Sequence, residues 1–148
     1  MTITYFDTLL RAQKGYARVL EPICKAWEIT RNEMDVLLFL ANNPGMDRAV
    51  DIVNKRGLSK SHVSFSVNNL QMRGFLSRRV DQTDRRTIHL VLTQRVQPIV
   101  EAGQKAQRQF FATIFADISR EDMAIWRQIT EKVSNNIQGL EIQPNEPE

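Results

Sequence analysis

The residues best suited to chemistry fall in two clusters in the middle third of the chain. Ser59, Lys60, Ser61 and His62, followed by Ser64, Phe65, Asn68 and Asn69, place small hydroxyls and amides at helical spacing. Asp84-Arg85-Arg86 follows Arg78 and Arg79 on a short polar stretch. Hydroxyls and amides of this size can approach base edges, and asparagine can pair bidentately with adenine. An arginine carried on a narrow loop can enter a minor groove, where narrow A·T-rich stretches concentrate negative potential. Phosphate would repel Asp84, so its expected task is to hold a neighbouring guanidinium as a bidentate pair. Taken singly, a residue of the first cluster reads equally well as part of a solvated helix face, and the second cluster, without a helix-turn-helix before it, reads more readily as a solvated charged turn.

Charge distribution favours the nucleic-acid reading. The formal net charge is only +3, but Arg48 to Arg95 carries ten Lys/Arg against three Asp, and the remainder carries ten basic and fourteen acidic residues. A basic block inside a mildly acidic chain is the footprint of a polyanion partner. Catalytic groupings are missing. There is no nucleophile with a base, no carboxylate pair with cleft-like spacing and no phosphate-cradling loop among six scattered glycines, so no catalytic residue and no enzyme are expected. His62, His89 and a single cysteine do not form a ligand cluster, so no metal and no other cofactor are expected. The lone Cys24 excludes an intramolecular disulfide and suits a reducing cytoplasm. Lys25 beside it could lower its pKa, but a buried, inert packing thiol is the expectation. The first residues lack a basic leader pattern and the longest apolar run, Val36 to Ala41, is far too short to span a membrane, which points to a cytoplasmic protein.

The elements that must position these clusters follow from periodicity. Phe6, Leu9, Leu10, Ala17, Leu20 and Ile23 mark an amphipathic first helix that Pro22 is expected to kink or end. Thr30-Arg31-Asn32-Glu33 reads as a capping box opening a second helix with Met34, Leu37, Leu38 and Ala41 inward. A third helix is expected from about Asp47 to Lys55, Gly57 breaks the pattern, and Ser59 caps a fourth helix through about Met72 that Gly74 closes. Val63, Val67 and Leu70 should face its interior and Ser61, Phe65, Asn68 and Asn69 its exterior. Phe75 to Val80 and Thr87 to Leu92 then read as a hairpin whose tip, Asp81 to Arg86, projects as a wing. From Thr93 a long helix with Pro98 near its start is expected, then a helix capped by Ser119 with Trp126, Ile129, Val133 and Ile137 on one stripe, and a frayed tail from Gln143. The fold class is mainly α, α+β by strict count: a winged helix-turn-helix with a two-stranded wing.

In order and spacing, Gly57-Leu-Ser-Lys-Ser-His-Val-Ser, Leu70-Gln-Met-Arg-Gly-Phe-Leu, Asp81-Gln-Thr-Asp-Arg-Arg and Leu90-Val-Leu-Thr resemble the MarR (multiple antibiotic resistance regulator) family. The likeness extends over essentially the full length. It implies one domain over 1–148, with residues 30–93 as the DNA-binding lobe and 1–29 with 94–142 as a helical dimerisation region. It also implies a homodimer reading a pseudo-palindrome in double-stranded DNA, with Arg86 as the minor-groove arginine and repression as the default output. The apolar stripes of the last two helices, including Phe110, Phe111, Phe115 and Trp126, exceed what a small lobe can bury, which agrees with a partner chain, an intrachain core being the alternative. The sequence departs from many relatives at Phe65 and Asn69, where an arginine is common.

Relatives commonly respond to small aromatic or phenolic effectors. Tyr16, Trp27, Met34, Phe39, Met46 and Phe111 are the candidate lining here, with core packing as the equal alternative. A hydroperoxide-sensing cysteine near the start of the first helix is replaced by Phe6. Rival readings are a winged helix used for protein contacts, nonspecific DNA binding, and RNA binding, the last lacking the stacking aromatics of single-strand readers.

Overall fold

The structure, a computed structural model, describes residues 2–141. In chain order these form α1 (Thr2–Ala26), α2 (Arg31–Asn42), α3 (Ala49–Arg56), α4 (Lys60–Met72), β1 (Leu76–Val80), β2 (Ile88–Leu92), a 3-10 turn (Gln94–Val96), α5 (Gln97–Ile114) and α6 (Arg120–Glu141). Its chain contacts group into two units, one reaching Phe111 and the other beginning at Ala112. The tail expected from Gln143 lies outside the described residues, as does residue 142 of the expected dimerisation region.

Helix α1 does not stop at Pro22, which lies within it. Pro22 is exposed, so the carbonyl left without an N–H partner can face water and the helix tolerates the lost bond. The true terminator is Glu28, whose φ of 52° is left-handed. Ile29 N–H donates to Cys24 O at 3.0 Å and Glu28 N–H to Lys25 O at 3.3 Å, the paired bonds of a Schellman ending. Arg73 locks this end by donating to Glu28 O at 2.7 Å and Trp27 O at 2.8 Å.

Helix α2 opens as its sequence implies: Glu33 N–H donates to Thr30 Oγ1 at 3.1 Å and Thr30 N–H to Glu33 Oε2 at 2.8 Å. It is the central helix of the lobe, buried from Met34 to Leu40. Buried Asp35 is charge-balanced by Arg31 at 3.1 Å and Arg56 at 3.0 Å, which ties α3 to α2. Helix α5 crosses α2 closely, because a Cβ on Gly103 would sit 2.9 Å from Leu38 Cδ2 and 3.1 Å from Met34 Sδ.

Helix α3 starts two residues later than its sequence suggests. Arg48 is its cap and Asp51 reaches back to Arg48 N–H at 3.1 Å. Leu90 N–H takes Asp47 O at 2.7 Å, so residue 47 is drawn to the edge of the hairpin and cannot enter the helix. Pro98 sits in the first turn of α5, where its missing N–H costs nothing. The core joins Leu20, Met34, Leu37, Ile52, Val63, Val67, Leu70, Leu76, Val96 and Ile99, each at most 2% exposed. Cys24 belongs to this cluster, and burial pushes its thiol pKa up, the opposite of activation.

Candidate nucleic-acid interface

The helix-turn-helix pivots on Gly57, whose φ of 73° ends α3 and redirects the chain toward α4. Ser59 starts α4 by accepting His62 N–H at 3.2 Å, with its hydroxyl also 3.2 Å from Ser61 Oγ, so its oxygen is largely spent on the cap. Val63, Ser66, Val67 and Leu70 turn into the core. Lys60, Ser61, His62, Ser64, Phe65 and Asn68 lie exposed on the other side, and Asn69 is half-buried at its margin. Phe65 and Met72 are 64% and 79% exposed and, with Asn68, Asn69 and Gln71, line a shallow concavity on that face.

The wing is an antiparallel hairpin in which Leu76 pairs with Leu92, Arg78 with Leu90, Arg79 with His89 and Val80 with Ile88. Its tip is built by two aspartates. Asp81 Oδ1 accepts Thr83 N–H at 2.8 Å, Thr83 Oγ1 at 2.7 Å and Asp84 N–H at 2.9 Å. Asp84 Oδ1 accepts Arg86 N–H at 3.0 Å and its Oδ2 accepts Thr87 Oγ1 at 2.9 Å. The expected Asp84–guanidinium pair is therefore corrected: Asp84 holds Arg86 by its backbone, and both Arg85 and Arg86 remain exposed at the tip. A turn this tight places Asp84 Oδ1 against the N–H two residues on, the local bond that aspartate makes most readily.

The wing root carries a grouping that the sequence did not reveal. His89 Nδ1 lies 2.7 Å from Asp47 Oδ1 and Nε2 lies 3.0 Å from Asp81 Oδ2. A neutral imidazole donates from one nitrogen only, so both contacts are satisfied together by the imidazolium. Asp47 and Asp81 accordingly raise the His89 pKa above its ordinary value. Asp81 is held well below the usual carboxylate range, chiefly by Asp84 N–H, then by the Thr83 hydroxyl and His89. Asp47 and His89 are 42 positions apart and carry no local signal.

Arg78, one of the basic residues expected on the hairpin, donates from Nη2 to Asn68 Oδ1 at 2.6 Å. That bond joins the wing to the exposed face of α4 in one continuous surface. Arg79 stays exposed.

Of the six residues expected to line an effector crevice, the structure places two on one lining. Tyr16 and Phe39 share a crevice of about 130 Å³ with Asp35, Leu38, Asn42, Asn43, Arg56 and Gln107. Met34 is fully buried beneath α5, whereas Trp27, Met46 and Phe111 are 39%, 42% and 49% exposed and lie outside that lining. Periodicity marks a large apolar residue without saying whether it meets core, crevice or solvent. At the crevice rim Gln107 Nε2 donates to Tyr16 Oη at 2.6 Å and Asn42 Nδ2 to Gln107 Oε1 at 2.9 Å. Among the described residues no group of three or more His, Cys, Asp or Glu is placed to hold a metal ion, and no helix is long and apolar enough to cross a membrane.

Comparison with known proteins agrees with this architecture. Residues 27–87 match the family model described as the MarR family. An uncharacterised HTH-type transcriptional regulator of Bacillus subtilis, YdgJ, is 22% identical over 113 residues, 76% of this chain and 68% of that protein. A MarR family transcriptional regulator from Silicibacter pomeroyi superposes with a TM-score of 0.75 at 18% identity, covering 95% of this chain and 90% of the other. Bordetella bronchiseptica BpsR, whose DNA binding is regulated by 6-hydroxynicotinic acid, superposes with a TM-score of 0.66 at 21% identity, covering 88% of this chain and 98% of its own. The six helices and two-stranded sheet are the MarR winged-helix fold.

Proposed function

We infer that this chain, whose residues 27–87 carry the MarR family pattern, is a transcription regulator that reads a pseudo-palindromic operator in double-stranded DNA as a homodimer. The observation that carries the reading is the Arg78–Asn68 bond, which makes the exposed face of α4 and the basic wing one surface. A helix of this kind enters the major groove, and a wing arginine reaches the adjacent minor groove. In this reading Lys60, Ser61, His62, Ser64, Phe65 and Asn68 meet base edges and nearby phosphates, with Asn69 at the margin. Arg86 enters the minor groove, Arg79 and Arg85 neutralise phosphate, and Ser59 and Asp84 shape the helix start and the wing.

Dimerisation supplies the two-fold arrangement that a pseudo-palindrome requires. Supporting it, Leu9 and Leu10 on α1 are 44% and 48% exposed, and Ile125, Ile129, Val133 and Ile137 on α6 are 53%, 55%, 41% and 50% exposed. Apolar rows of this length on a charged protein call for a partner. The output is repression, in the cytoplasm, without catalysis. A small aromatic effector would be taken at the crevice shared by Tyr16 and Phe39, a reading supported by the regulation of BpsR by 6-hydroxynicotinic acid. It would act only through a differential affinity for the DNA-competent and incompetent forms.

Selection of bound sites from random duplexes at near-physiological salt tests the reading. Recovery of a motif with two related half-sites is the expected result. Retention of DNA without any motif would leave only charge-driven binding and overturn it.

A further inference from the structure

The contact between Arg78 Nη2 and Asn68 Oδ1, 2.6 Å long, settles something that an asparagine alone leaves open. A guanidinium carries donors and no acceptor, so the amide must present its oxygen to Arg78 and its nitrogen elsewhere. Asn68 is exposed on the groove-facing side of α4, and no hydrogen bond among the described residues uses its Nδ2. Arg78 is exposed too and has no carboxylate partner among the described residues, so its remaining N–H groups lie beside the same amide. The amide oxygen keeps a second lone pair, but with a cation bound to it the edge offered to a base at this point is dominated by donors.

We propose that Arg78 and Asn68 together form a donor-rich, positively charged reading edge that selects guanine in the major groove. The inference rests on the DNA-reading function proposed above. Guanine is the base that presents two adjacent acceptors, O6 and N7, in that groove. Adenine presents an acceptor beside an N6 amino group. An unpaired asparagine matches that pattern by accepting with its oxygen, but here the oxygen already accepts from a cation, whose charge disfavours a further donor such as the adenine amino group and favours acceptors. Cytosine brings its N4 amino group into the same conflict. Thymine offers one acceptor beside a methyl group and leaves the second donor unmatched. Arg78 thus converts the usual adenine preference of an asparagine into a guanine preference without itself having to touch the base. In this respect Asn68 is the contacting residue and Arg78 a positioning residue.

The test is parallel site selection with the full-length wild type, Asn68→Ala, Asn68→Asp and Arg78→Ala, after matching thermal unfolding midpoints have shown that these exposed substitutions leave the fold intact. The base position whose preference vanishes in Asn68→Ala is the one that Asn68 reads. Guanine is expected there in the wild type, enriched roughly tenfold or more over adenine. Arg78→Ala, which frees the amide oxygen, should raise adenine at that one position and leave the rest of the motif in place. Asn68→Asp, an acceptor-only side chain, should lose guanine altogether. Adenine or cytosine at that position in the wild type would overturn the proposal. So would a motif that Asn68→Ala leaves unchanged, or an Arg78→Ala protein that weakens on all sequences alike while keeping every base preference. No motif at all in the wild type would overturn the DNA-reading function and this inference with it, and that result is distinct from the others.

Discussion

His89 Nε2 stands 3.0 Å from Asp81 Oδ2, and the other oxygen of that carboxylate accepts the N–H groups of Thr83 and Asp84. One aspartate therefore connects the root of the wing to its tip, and through His89 Nδ1 to Asp47 it connects both to the segment before α3.

The His89 clamp gives the wing a pH window. The pKa of His89 is raised above 6.5, so the stabilisation it provides is fully present below that value and is lost as pH rises through its folded-state pKa. Asp81 is depressed below 3.8, so its share is present above that value and is lost as pH falls through its folded-state pKa. Arg79, opposite His89 in the hairpin, and Arg48, next to Asp47, are the neighbouring cations; the two carboxylates in direct contact outweigh them. An NMR titration should place the His89 imidazole above 6.5, and operator affinity should fall with the same midpoint in the wild type and not in His89→Gln. An imidazole titrating at or below its ordinary value would refute the clamp.

Asp84 and Arg86 should behave as a coupled pair although no ion pair joins them. Asp84→Ala removes the bond to Arg86 N–H and the bond to the Thr87 hydroxyl, leaving the tip free to wander. Operator binding measured by fluorescence anisotropy should weaken by about 1 kcal/mol per half-site, the scale of one lost hydrogen bond. Asp84→Ala combined with Arg86→Ala should cost less than the sum of the single changes. Full additivity would show that Asp84 does nothing for Arg86.

Gly57 tests the turn of the helix-turn-helix. Its φ is 73° and an added Cβ would meet nothing within 4 Å, so Gly57→Ala isolates backbone strain from packing. A stability loss of about 1–2 kcal/mol in urea unfolding is expected, the cost of a left-handed residue with a Cβ. An unchanged midpoint would mean that the turn relaxes.

The row on α6 tests dimerisation. Ile129 is 55% exposed, so Ile129→Glu should leave the folded lobe intact, shift the sedimentation equilibrium toward monomer and weaken operator binding. A dimer of unchanged affinity would place the interface elsewhere.

Elements with a local cause were legible in the sequence. The Thr30 capping box, the Ser59 cap, the hairpin and the Ser119 cap, where Asp122 N–H donates to Ser119 Oγ at 3.0 Å, each depend on residues within one turn. Boundaries set by distant partners were not. Asp47 is kept out of α3 by Leu90, and α1 ends at a motif clasped by Arg73 from the end of α4. The same division runs through the candidate site. The outward face of α4 followed from the period of Val63, Val67 and Leu70, but the use of Arg78 to orient Asn68 and of His89 to hold the wing required strand pairing and loop placement. The effector crevice was least legible, because being large and apolar describes Met34 in the core and Met46 in solvent equally well.

The central claim is that the wing reads DNA through Arg86 alongside α4, and its most direct test compares wild type and Arg86→Ala on the selected operator and on an unrelated duplex at one salt concentration. The account predicts a loss of roughly 1–3 kcal/mol per half-site on the operator, concentrated at the bases flanking each half-site, and a much smaller change on the unrelated duplex. Equal losses on both would make Arg86 a phosphate contact and contradict the account.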